Sequence, residues 1–114
     1  MDEAQEEIKK PCAFCSMFTE DDENIIDIEP LNPVTPGHRL IIHRQHTKDF
    51  SADAGIFSEV ARYASDLGKW GKDFNLITSK GELATQSVFH LHVHLIPRTK
   101  NDGLNLPWTN QTNK

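Results

Sequence analysis

The most regular alternation of apolar and polar positions lies late in the chain, in Val88-Phe89-His90-Leu91-His92-Val93-His94-Leu95-Ile96. Side chains of a strand alternate between faces with period two. The pattern therefore predicts a strand with His90, His92 and His94 on one face. Phe89, Leu91, Val93 and Leu95 are then buried on the other, and Pro97-Arg98 marks the end. Three shorter segments, 25–29, 39–43 and 74–78, carry the β-branched and apolar character of strands. Between the second and third the period changes. Ile56, Phe57, Val60, Ala61, Ala64 and Leu67 recur at steps of three and four, with Glu59, Arg62, Ser65, Asp66 and Lys69 opposite. This predicts one long helix, capped by Ser51 or Asp53 and running to about Trp70, with Gly68 and Gly71 flagging its end. The order β-β-α-β-β with short links predicts an α+β fold: an antiparallel sheet of about five strands with the helix packed on it.

The 30–37 loop contains Pro30, Pro33 and Pro36. Three fixed φ angles and three missing donors make it a stiff connection. Phe14 and Phe18 are expected in the core. With 114 residues, one domain is expected, over 11–108, between a flexible acidic tail at 1–10 and a flexible tail at 109–114. Leu104, Leu106 and Trp108 near the end could dock on a neighbour. The net charge of −5 argues against general nucleic-acid binding, since no basic stripe appears. No apolar run approaches the roughly 20 residues of a membrane span. The acidic start lacks the features of a secretion signal, so a cytoplasmic location is expected.

All six histidines fall in two groups, His38, His43 and His46, then His90, His92 and His94. Strands 39–43 and 88–96 are therefore expected to be close in the sheet. Imidazoles arranged this way can bind a metal or supply a nucleophile and acid–base groups. Same-face positions on a strand step about 6.5–7 Å apart, so three histidines converging on one metal is the harder of the two arrangements. Cys12 and Cys15 form a single C-x-x-C. In a reducing compartment this pair is a redox couple, half of a metal site, or two small buried residues.

The run Gln86-Ser87-Val88-Phe89-His90-Leu91-His92-Val93-His94-Leu95-Ile96 resembles the signature of the histidine triad family of nucleotide hydrolases and transferases. Pro36-Gly37-His38-Arg39-Leu40-Ile41-Ile42 resembles the family's second block. Cys12-Ala13-Phe14-Cys15 resembles the cysteine pair of many bacterial members. The resemblance spans about 11–98. It implies a nucleotide hydrolase in which His92 attacks the α-phosphate of a nucleoside phosphoramidate or dinucleoside polyphosphate, forming a nucleotidyl-histidine. It implies that His94 helps neutralise phosphate charge and that His38 holds His92's orientation. Ser87 bonds the phosphate or leaving group, and Gln86 lies at the same rim. It also implies a structural zinc on Cys12, Cys15, His46 and His90, and a homodimer. Pro30 stands where many members carry a ribose-binding acidic or amide residue, and Glu29 or Asn32 is expected to substitute. Ser79 stands where phosphoramidase members often carry Asn. Phe14, Phe18 and Ile28 are placed in the base pocket. His43, where the family block usually has proline, is expected to face solvent and is given no role. Two other functions fit the same residues: a three-histidine metal-dependent hydrolase and a non-enzymatic nucleotide-binding adaptor.

Overall fold

The computed structural model describes residues 12–109. Both expected tails, and Pro11, lie essentially outside that range. Among the described residues there are four strands, β1 (Ile25–Ile28), β2 (Arg39–His43), β3 (Phe74–Ile77) and β4 (His92–Pro97), and one α-helix, α1 (Ala54–Gly68). The strands form a single antiparallel sheet in the order β1-β2-β4-β3. The expected nearness of the two histidine-bearing strands is thus direct pairing, with Ile41 opposite Val93 and Leu40 opposite His94.

The expectation of about five strands is corrected to four. The cysteine segment forms a 3-10 turn, Cys15–Met17. The triad strand begins at His92, not Val88. Upstream of His92 the chain is held by the segment after β2 instead of by a sheet partner: the Leu91 N–H donates to the Thr47 carbonyl at 2.6 Å. Phe89 is correspondingly not core. It is 39% exposed, with the Lys48 ammonium 5.7 Å from its ring centroid.

The helix follows its sequence pattern closely. Asp53 is the cap, its carboxylate accepting from the Ile56 N–H at 3.1 Å. Ile56, Val60 and Ala64 are buried against Ile41, Leu91, Val93 and Leu95, with Phe57 and Leu67 packed at the margin. Each such aliphatic side chain taken fully from water contributes about 1.5–3 kcal/mol. The helix ends at Gly68, two residues short of Trp70, because the following amides turn back to the Asp66 and Leu67 carbonyls. A polar clamp ties α1 to the sheet edge. Arg39 Nε donates to Asp27 Oδ1 at 2.8 Å, and the Tyr63 hydroxyl donates to the other oxygen of the same carboxylate. Burial first, then that carboxylate, pushes the Tyr63 phenol up to about 12.

The helix covers the face that carries Ile41, Val93 and Leu95. Period two then turns His92 and His94 to the opposite face, beside their β2 partners Ile42 and Leu40. The proline loop enters β2 through Gly37 at φ +86°, where a Cβ would meet the Pro97 ring at 3.2 Å. This close approach delivers His38 to the same face, one alternation before Leu40. Among the described residues no helix is long and apolar enough to cross a membrane.

Candidate active site and metal centre

The hydrogen bonds of the histidines assign each ring nitrogen. His92 Nδ1 lies 2.8 Å from the His90 carbonyl. A carbonyl only accepts, so Nδ1 carries a proton, and in the neutral ring Nε2 is the nitrogen left with a lone pair. The Val34 N–H donates to His38 Nδ1 at 3.1 Å. The proton of His38 is therefore on Nε2, which donates to His94 Nδ1 at 3.0 Å. His94 in turn holds its proton on Nε2. One backbone amide thus fixes the tautomers of two imidazoles in series, ending in an N–H donor beside a lone-pair nucleophile. The rings of His92 and His94 are 5.5 Å apart.

Burial pushes His94 down to about 4, helped by the neighbouring His92 and His38, and burial lowers His38 in the same direction. Both rings are neutral at neutral pH. As a neutral ring, His94 offers a hydrogen-bond donor.

His38 and His94 form the floor of a cavity of about 760 Å³. Phe14, Met17, Ile28 and Leu31 supply apolar wall, Glu29 and Asn32 supply polar groups, and Ser79 and Thr85 close another side. Glu29 and Asn32, expected at a ribose, both line this cavity. Phe14 and Ile28 line it as well, and Phe18 does not. Its ring lies under the Arg44 guanidinium, 5.2 Å from the centroid. Met17 takes its place because a 3-10 turn repeats every three residues, aligning positions 14 and 17 rather than 14 and 18.

Ser87 is exposed next to a buried Gln86. The Gln86 side chain is not offered to a ligand. Its oxygen accepts from the Gly81 N–H at 2.8 Å, and its nitrogen donates to the carbonyls of Lys48 and Val88 at 2.8 and 3.2 Å. Any effect of Gln86 on a substrate passes through the loop it braces, which corrects its expected place among the substrate-binding groups.

Cys12, Cys15, His46 and His90 converge so that their four ligand atoms lie within 4.8 Å of one another. His90 Nδ1 is 3.3 Å from Cys12 Sγ and 3.4 Å from Cys15 Sγ, and His46 Nδ1 is 3.4 Å from Cys15 Sγ. Tetrahedral bonds of about 2.3 Å to sulfur and 2.0–2.1 Å to nitrogen place such atoms about 3.5 Å apart. The cluster is thus of the right size for one tetrahedral cation. Burial, reinforced by Cys12, pushes the Cys15 thiol up to about 11; a cation among the ligands would reverse that preference. His90 is fully buried and its Nε2 donates to the His43 carbonyl at 2.7 Å. That bond leaves Nδ1 unprotonated and facing the sulfurs, the outer-sphere support usual for a metal-binding imidazole.

His43, expected in solvent, is 4% exposed. Its Nδ1 accepts from the Gln45 N–H at 2.9 Å and its Nε2 donates to Glu59 Oε1 at 3.3 Å. Four successive buried residues, Leu40 to His43, show that β2 is covered on both faces. Alternation therefore could not reveal which way His43 points. Its second contribution, through a main-chain carbonyl, leaves no trace in residue identity.

Neighbouring imidazoles with fixed hydrogen bonds thus stand beside a cavity, on an α+β sheet. Residues 15–101 match the HIT domain family. A HIT family hydrolase from Clostridium thermocellum superposes with a TM-score of 0.62 at 32% identity, covering 81% of this chain and 94% of that one. A zinc-bound histidine triad family protein from Mycobacterium smegmatis superposes with a TM-score of 0.70 at 28% identity, covering 83% and 80%. The adenylylsulfatase HINT3 of Arabidopsis thaliana is 31% identical, over 85% of this chain and 57% of that one. The chain belongs to the HIT family.

Proposed function

We propose that this protein is a nucleotide hydrolase or transferase whose nucleophile is His92. Its substrates are nucleoside phosphoramidates, dinucleoside polyphosphates or related nucleotides. The observation that carries the reading is the His92 Nδ1–H to His90 carbonyl bond, which leaves Nε2 free to attack. In the first step Nε2 bonds to the α-phosphorus and the bond to the leaving group breaks, a polyphosphate departing as an oxyanion and an amine taking its proton from solvent water. Water then attacks the nucleotidyl-histidine and His92 is regenerated. Splitting one displacement into two lowers each barrier. The His94 Nε2–H is aimed to donate to a non-bridging phosphate oxygen, and a fixed donor of this kind needs no reorganisation as charge builds. Ser87 serves the phosphate or leaving group. Phe14, Met17 and Ile28 hold the base, and Glu29 or Asn32 meets the ribose in place of the residue that Pro30 replaces.

The name of the Arabidopsis relative, an adenylylsulfatase, agrees with chemistry at a nucleotide α-phosphorus. The four-ligand cluster is proposed to hold zinc, in a structural role with no part in bond breaking; the M. smegmatis neighbour is itself zinc-bound. A cytoplasmic homodimer is the working form. Intact-mass measurement after mixing with adenosine phosphoramidate and diadenosine tetraphosphate tests the mechanism. A nucleotidyl adduct on wild-type protein, absent from His92→Asn, is expected. Hydrolysis at the full rate by His92→Asn would remove the nucleophile assignment. AMP binding without turnover of any substrate would mark a nucleotide-binding adaptor instead.

A further inference from the structure

The segment that carries the two cysteines also carries a wall of the cavity. Ala13, Phe14 and Met17 all line it. Phe14 lies between Cys12 and Cys15 in sequence, and its ring packs edge-on against His92 at 4.9 Å and His90 at 5.9 Å between centroids. What holds this wall in place is sparse. The backbone bonds of 12–18 are internal to the segment: Ser16 N–H to the Cys12 carbonyl, Met17 N–H to that of Phe14, and Phe18 N–H to that of Cys15. The Ser16 hydroxyl also donates to the Cys12 carbonyl. Among the described residues, the segment's only hydrogen-bond-range polar contacts with the sheet and its flanking loops run from the Cys12 and Cys15 sulfurs to His46 and His90. The far side is strong by contrast. His90 is bonded to the His43 carbonyl, and Leu91 to that of Thr47.

We propose that the Cys12/Cys15/His46/His90 centre is a metal-operated latch on the nucleotide pocket. With zinc bound, the C-x-x-C turn is pinned to the rigid His46/His90 side and Phe14 is seated against His92. Without it, the first part of the turn is tethered by apolar contact alone, since the Arg44 guanidinium over the Phe18 ring holds only its far end, and the wall made by Ala13, Phe14 and Met17 opens. Metal occupancy then governs how tightly the protein binds its nucleotide, while the His38–His94 and His92–His90 bonds, which lie outside the turn, stay made. This inference rests on the zinc reading and on the nucleotide reading above.

The test compares zinc-loaded full-length protein with the same protein stripped by a chelator. Zinc content, amide exchange and AMP affinity by calorimetry are measured on each. Stripping is expected to speed exchange of the 12–18 amides at least tenfold, leave exchange in β4 unchanged, and weaken AMP binding about tenfold or more, the loss of one apolar side-chain contact. Should stripping unfold the protein, Phe14→Ala supplies the second arm. It removes the wall without touching a ligand, and is expected to keep zinc and lose AMP affinity by a similar factor. Equal exchange rates and equal AMP affinity with and without zinc would overturn the latch and leave the zinc site standing. A protein that takes up no zinc would overturn both. If zinc binds and AMP binds neither form, the nucleotide reading fails, and the exchange rates alone then uphold or overturn the latch.

Discussion

Replacing His38 with Phe isolates the tautomer chain. The ring keeps its planar shape in a site only 3% exposed, but both hydrogen bonds vanish, the 3.1 Å bond from Val34 N–H and the 3.0 Å bond to His94 Nδ1. His94 is then free to carry its proton on either nitrogen. The lock on the Nε2–H form is worth about one intramolecular hydrogen bond, roughly 0.5–1.5 kcal/mol. If that donor acts mainly in the transition state, the loss falls on kcat, as about a 2- to 12-fold reduction with KM little changed. Burial, the largest cause of His94's low value, is largely kept, so the ring should stay neutral at neutral pH and the variant should not gain a cation. Two assays are needed. Steady-state kinetics on adenosine phosphoramidate reads the split between kcat and KM. Long-range ¹H–¹⁵N spectra of the imidazoles read which nitrogen of His94 is protonated. A His38→Phe protein with an unmixed Nε2–H signal and wild-type kcat would refute the reasoning, since the Val34–His38–His94 series would then set nothing.

Three further outcomes follow from the same contacts. His94 is lowered from its ordinary value of 6.5 to about 4, so the unfolded chain binds the extra proton first as pH falls. Its contribution to stability is complete above about 6.5, is lost progressively down to about 4, and is constant below; urea midpoints across that range should slope down in wild type and less so in His94→Gln. Ile41 is fully buried at the centre of the core, so Ile41→Ala should cost about 2–5 kcal/mol and Ile41→Val about 0.5–1.5 kcal/mol in denaturant titrations with unchanged m; equal losses for both would contradict the packing described. Gln86→Ala removes the brace on the Gly81 amide, so exchange at Gly81 should accelerate while the Leu91 amide, bonded to Thr47, stays protected.

The helix and the strands were legible in the sequence because their side chains have periods that core packing enforces. Ile56, Val60 and Ala64 on one side of α1, and Val93 and Leu95 on one side of β4, are read directly from spacing. The pairing of β2 with β4 was legible from the histidines that both carry. The misreadings share a physical cause: main-chain or loop groups settled the outcome. Phe89 left the core because β4 starts late, after backbone bonding to Thr47. Gln86 turned inward because its amide fits three backbone groups, a match invisible to residue type. His43 was buried because its strand is covered on both sides. Phe18 gave way to Met17 because the turn is 3-10 and not α. The division of the triad, with His90 set apart from His92 and His94, came from family resemblance; in the structure His90 faces the cysteines and His94 lines the cavity. The structure supplies its mechanism, the opposed commitments of the His90 nitrogens and carbonyl.

The ligand cluster joins ends of the chain that are made far apart in time. Cys12 and His90 are separated by 78 positions. At roughly 5–20 residues per second, a ribosome needs about 4–16 s to travel between them. During that interval Cys12 and Cys15 have emerged without the buried imidazole that completes their site, and β4, which His90 precedes, has not yet joined β2. The two thiols are thus more open to metals, oxidants and other thiols in the nascent chain than in the fold, where both are half-buried. If the cluster takes a metal as proposed, the supply of that metal during synthesis, as much as after it, bears on how much of the chain reaches the clasped form.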